Sequence, residues 1–91
     1  MTELYRGQLY VSPNPSNGIF TAEGTLEADN NTAILEIADV LGRVVYRDVI
    51  QVVNGNFKKQ IDIGDRLKSG MYLLRVCSSG GQKAIRFSLR N

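Results

Sequence analysis

The chain has no histidine and no tryptophan, one cysteine, Cys77, and only two prolines, Pro13 and Pro15. Without histidine there is no Ser/His/Asp or Cys/His constellation, and no imidazole to join a metal site. Cys77 cannot form an intrachain disulfide and has no base beside it, so it reads as a half-buried thiol at a strand end. Asp29, Asp39, Asp48, Asp62 and Asp65 fall singly at turns and strand ends. Turn formation explains them better than paired acid/base catalysis or a calcium cage. Ser78-Ser79-Gly80-Gly81 has neither the spacing of a phosphate loop nor a helix after it. The chain is therefore not expected to be an enzyme or to hold a cofactor or metal. No apolar run approaches the ~18–20 residues of a membrane helix. No basic stretch followed by an apolar one opens the chain, so any export signal is expected upstream.

Acidic residues are also missing from one region. Residues 1–65 carry a net charge of −4, whereas residues 66–91 contain no Asp or Glu and carry +6. One reading is internal charge complementarity and solubility. The other is a basic C-terminal hairpin that meets an anionic partner. Nucleic acid is not expected as that partner, because no recognition helix and no aromatic pair accompany the basic strands.

What is present is β-structure. At 91 residues the chain is one domain. Short β-rich runs recur about every ten residues between Gly/Asn/Asp/Ser turns, the pattern of a sandwich or barrel. Seven strands are expected, beginning with Gln8–Val11, Ile19–Glu23 and Ala33–Ala38. A long run follows, Arg43–Val53, which should bulge or bend, and then Phe57–Ile63. The closing hairpin combines Ser69–Val76 with Lys83–Arg90 across Ser78–Gly81. Phe20, Leu35, Ile37, Tyr72, Leu74, Val76, Ile85 and Phe87 share the core-facing parity, while Lys59 breaks the alternation of its strand.

The turns have mechanisms. Pro13 and Pro15 suit a segment along a sheet edge, and Pro15–Gly18 reads as a β-turn. Asn30-Asn31-Thr32, formally a glycosylation acceptor, reads as a polar turn. Asp39 at the head of Asp39–Gly42 should bond the backbone two residues on. Asn54-Gly55 signals a type I′ hairpin. Leu67 should plug the base of the core, and Tyr72 sits where sandwiches place a tyrosine corner. The fold expected is an all-β, immunoglobulin-like antiparallel sandwich of about seven strands, with a small antiparallel barrel as the alternative. Its two open edges invite self-association through an edge strand.

Several segments together resemble a known family. They are Pro13–Gly18 with Phe20, Ile37–Asp39 with Leu41–Tyr46, Ile61–Ile63 with Leu67, Ser69–Val76, and the basic-apolar end. In order and spacing they look like the type A C-terminal sorting domain of type IX secretion, also called the Por secretion system C-terminal domain. The resemblance runs from about Leu9 to Leu89. It sets residues 1–8 aside as a linker remnant or artificial start and assigns 9–91 to the domain.

The resemblance implies an address rather than a catalyst. The cargo lies upstream in the same chain, crosses the periplasm, and is exported by the type IX translocon to the cell surface or beyond. The implied partners are the translocon and its shuttle components, and a sortase-like signal peptidase that removes the domain. The cargo is then often joined to anionic lipopolysaccharide. Asp39, Gly42 and Arg43 match the middle motif of the family, and Gly70, Tyr72 and Val76 the late one. Ser12 stands where the family commonly has an aromatic or aliphatic residue. Lys83 and Arg86 compete for the place of a common lysine. Arg75, Lys83 and Arg86 are the outward residues expected to meet the translocon. The alternative function is an adhesive or carbohydrate-binding module, for which only Tyr5, Tyr10 and Tyr46 would offer an aromatic face.

Overall fold

The chain folds, in a computed structural model, into two antiparallel sheets facing each other across one core. The structure describes residues 9–26, 31–64 and 66–90. The predicted linker 1–8, with Tyr5 and Gln8 in it, and Asp29, Asn30 and Asp65 lie outside the described residues.

The strands are β1 (Leu9–Ser12), β2 (Ile19–Thr25), β3 (Thr32–Ala38), β4 (Val44–Gln51), β5 (Asn56–Asp62), β6 (Gly70–Ser78) and β7 (Gly81–Leu89). One sheet has the order β1-β2-β5 and the other β4-β3-β6-β7. This is the seven-stranded immunoglobulin-like sandwich, with the fourth strand on the sheet of the third, sixth and seventh rather than the other.

Alternation decides which face of each strand is covered. Phe20, Leu35, Ile37, Leu74, Val76 and Phe87 are all at most 1% exposed, and Tyr72 is buried with them. Phe20 and Phe87 pack with ring centroids 4.9 Å apart, joining the two sheets at mid-core. Ile85 is the exception among the expected core residues. It is half-buried and packs against the cluster from its margin, as Leu67 does.

The tyrosine corner forms as expected, and the Asn54-Gly55 turn forms but is redirected. Tyr72 donates its hydroxyl to the Lys68 carbonyl at 2.6 Å, closing the tyrosine corner. Asn54 and Gly55 take the positive φ values of a type I′ turn, 53° and 80°. However, only Val53 and Asn56 pair across this turn, because β4 and β5 belong to different sheets. Ile50 and Val52 are both buried, keeping the alternation of the strand up to the turn. Strand β4 ends at Gln51, and the chain passes from there to the other sheet with Val52 still anchored in the core. The bulge expected in β4 is present. Ile37 opposes Tyr46 and Ala38 opposes Val44, leaving Val45 as the extra residue.

The proline segment stitches one side of the sandwich. Ser16 donates its N–H to the Ser88 carbonyl and accepts from the Arg90 N–H, while the Asn14 side chain accepts from the Ser88 N–H. It therefore runs along the outer edge of β7, as two prolines without donors permit. On the opposite side, Lys59 sits on the core-facing parity of β5 and meets Asp48 of β4 at 3.1 Å. That ion pair accounts for the broken alternation.

Candidate functional site

The residues with functional character gather at one end and on the outer face of the four-stranded sheet. The turn from β3 to β4 is wired by Asp39. Its carboxylate accepts from the Leu41 N–H at 2.9 Å, the Arg43 N–H at 3.0 Å and the Arg43 guanidinium at 2.8 Å. The Gly42 N–H closes the turn on the Asp39 carbonyl at 3.0 Å, and Gly42 adopts φ +85°, a region that favours glycine. The Arg43 N–H, with help from its guanidinium and the Leu41 N–H, holds the Asp39 carboxyl below the usual carboxylate value.

Antiparallel register then decides what else shares this surface, since directly opposed residues point to the same side. Leu73 opposes Arg86 and Arg75 opposes Ala84, all facing outward. Arg75, half-buried, donates twice to Glu36 at 2.9 and 3.2 Å, and Arg47 reaches the other oxygen of Glu36 at 3.4 Å. A cleft of 430 Å³ lies beside the turn and brings Asp39, Gly42, Arg75 and Arg86 together with Met71 and Leu73.

The register corrects one expectation. Lys83 opposes Val76, and Val76 is fully buried. Lys83 is therefore on the core-facing parity, at the margin of the sandwich, and does not share the surface of Arg75 and Arg86. Gly70 opens β6, Tyr72 turns its ring inward beneath the cleft, and Val76 is buried further along the same strand. Cys77 is half-buried at the other end of β6. Tyr10 and Tyr46 do not assemble an aromatic platform. They lie on different sheets, and the Tyr46 hydroxyl points to Asp48 at 3.5 Å. Burial, and then the Asp48 charge, push the Tyr46 phenol above its usual value.

Sequence reasoning assigned no contact role to four outward residues here: Val40, Leu41, Met71 and Glu36. A signal was available, since a turn of this kind needs only its Asp and Gly. Two aliphatic residues between them serve no turn geometry.

Against this geometry the comparisons decide the family. The family model described as the secretion system C-terminal sorting domain matches residues 10–89. The chain belongs to that family. It is thus a C-terminal sorting signal of type IX secretion, the system that exports proteins across the outer membrane. No curated protein matches the chain. Among solved structures, PorZ of Porphyromonas gingivalis is similar at 24% identity with a TM-score of 0.63. PorZ is described as an essential bacterial surface component of the type-IX secretion system. The likeness covers 91% of this chain but 11% of PorZ, so for the sorting domain it speaks to the fold alone.

Proposed function

We propose that the sorting domain is a folded, removable and non-catalytic address. It carries an upstream cargo of the same chain through the periplasm to the type IX translocon. A sortase-like peptidase then removes it, and the cargo is joined to anionic lipopolysaccharide or released. The observation that supports this reading is the family match over residues 10–89, laid on a complete sandwich whose middle motif forms an exposed, tightly wired turn.

The reading places the translocon contact on the outer face of the four-stranded sheet, with Arg75 and Arg86 contributing from the closing hairpin. Tyr72 and Val76 support the strand from the core. Charges at the rim of a contact act mainly on encounter and register, so removing the exposed Arg86 and the half-buried Arg75 weakens export rather than abolishing it. The test is a fluorescent protein fused ahead of this domain in a type IX-competent host. The fusion should appear outside the cell, and deletion of residues 70–90 should retain it. The paired substitution Arg75→Gln and Arg86→Gln should lower the secreted fraction with the circular dichroism unchanged. Secretion of the double variant at the wild-type level would remove the two arginines from the contact.

A further inference from the structure

Apolar exposure on this domain is concentrated rather than scattered. Nine large hydrophobic side chains are exposed among the described residues, and five of them, Val40, Leu41, Val44, Val45 and Met71, lie at the β3–β4 turn or directly beside it. Val40 is 79% and Leu41 75% exposed, the two highest values in that group. Single exposed aliphatics need no explanation, but a cluster at one end does.

The turn that carries them is held rigidly. Asp39 fixes the backbone N–H of Leu41 and Arg43, and the Gly42 N–H returns to the Asp39 carbonyl. A wired loop with two aliphatic side chains at its tip loses little conformational freedom on binding. Beside it lies the 430 Å³ cleft, lined in part by Met71 and Leu73. Projection and cleft together make a surface of fixed relief.

The charge around that relief is one-sided. The side chain of Arg43 is 73% exposed while that of its partner Asp39 is 13% exposed. Arg47 is 64% exposed, whereas Glu36, held between Arg47 and Arg75, is 14% exposed. Arg86 is exposed on the cleft and has no ion-pair partner among the described residues. The acids are covered and the cations are presented, so the rim seeks negative charge.

We infer that Val40 and Leu41 form a preorganised apolar prong, which inserts into an apolar pocket ringed by carboxylates on a folded protein of the export machinery. This deepens the sorting reading and rests on it. A folded protein is favoured over a membrane because a cleft of defined shape beside the prong has no counterpart in a fluid lipid surface. The aromatic residue that lines this cleft, Tyr72, is buried with its ring in the core, so it is not presented to a bilayer as an interfacial anchor would be.

The experiment uses the same cargo fusion. The double substitution Val40→Ser and Leu41→Ser keeps Asp39 and Gly42, and should lower the secreted fraction about tenfold or more, the scale of losing a binding anchor. The thermal melt should be unchanged. Val49→Ser with Val53→Ser, exposed residues outside the cluster, should leave secretion within about twofold, as expected for side chains outside the contact. Arg86→Glu should lower secretion while Arg86→Lys preserves it. Wild-type secretion by the Val40/Leu41 variant overturns the prong, and wild-type secretion by Arg86→Glu overturns the acidic rim. Flotation of the purified domain with anionic phospholipid vesicles, lost in the Val40/Leu41 variant, would make the prong a membrane anchor and overturn the protein partner. Retention of the unaltered fusion would instead overturn the sorting reading, and the prong with it.

Discussion

Asp39 shows how one side chain can serve both folding and presentation. Its carboxylate takes three donors from two residues. The Arg43 N–H, first among these influences, lowers its pKa from the ordinary 3.8. A depressed carboxyl pKa stabilises the folded turn above the unfolded value, and that contribution is lost as pH falls through the lowered folded value. The β3–β4 turn should therefore keep its order down to about pH 4 and loosen below it. Amide exchange at Leu41 and Arg43 across an acid titration checks this, and Asp39→Ala should show the loosened rates at neutral pH. Tyr72 is a second case. Its hydroxyl bond to Lys68 closes the corner before β6, so Tyr72→Phe should cost about 0.5–1.5 kcal/mol in urea unfolding. Leu74, fully buried on the central side of β6, should cost roughly 2–5 kcal/mol on truncation to Ala.

Elements follow from the period-2 pattern where a strand has one dry face. That is why β2, β3, β6 and β7 were legible from Phe20, Leu35, Leu74 and Phe87 alone. Legibility fails where a side chain answers to something other than its own strand. Lys59 breaks parity because its partner, Asp48, is on the other sheet. Asn54-Gly55 has the hairpin signature and forms the turn, yet it joins two sheets, since β4 takes β3 as its partner and β5 takes β2. Lys83 looks outward in a basic stretch, but its register opposite Val76 turns it to the core side. The site was half legible for the same reason. Asp39 and Gly42 reveal themselves through turn chemistry and Arg43 through the family resemblance, whereas Val40 and Leu41 pass as ordinary aliphatics until their exposure is known. Gly18 shows a pattern that needs three dimensions. Its φ is +109°, and a Cβ there would collide with the Gly64 carbonyl oxygen. Its own carbonyl accepts from the Ile63 and Gly64 N–H groups. Gly18→Ala should cost at least about 1–3 kcal/mol, since both strain and the close approach oppose it. A melting temperature within error of wild type would show that the turn can shift.

At the scale of the whole molecule, the sandwich has two seams of unequal strength. Along β7, backbone bonds from Ser16 and a side-chain bond from Asn14 cover the end of the outer edge. Between β4 and β5 the described cross-sheet link is the Lys59–Asp48 pair, both partners more than a third exposed. A surface pair of this kind contributes about 0–1 kcal/mol and weakens with salt. Both β4 and β5 are edge strands, but they are guarded differently. β5 carries Lys58 and Lys59 in its middle, charges that discourage pairing with another chain. β4 is eight residues long and presents Val44, Val45 and Val49. The bulge at Val45 protects only its first part. Self-association should therefore begin at β4, over the regular stretch from Tyr46 to Gln51. Light scattering of the isolated domain at high micromolar concentration should show a concentration-dependent dimer. Val49→Lys should shift it toward monomer, and high salt should strengthen the dimer by opening the Lys59–Asp48 seam. A clean monomer at all concentrations would mean that the bulge and Arg47 are guard enough. Loss of dimer on substitution in β1 rather than β4 would move the contact to the other sheet.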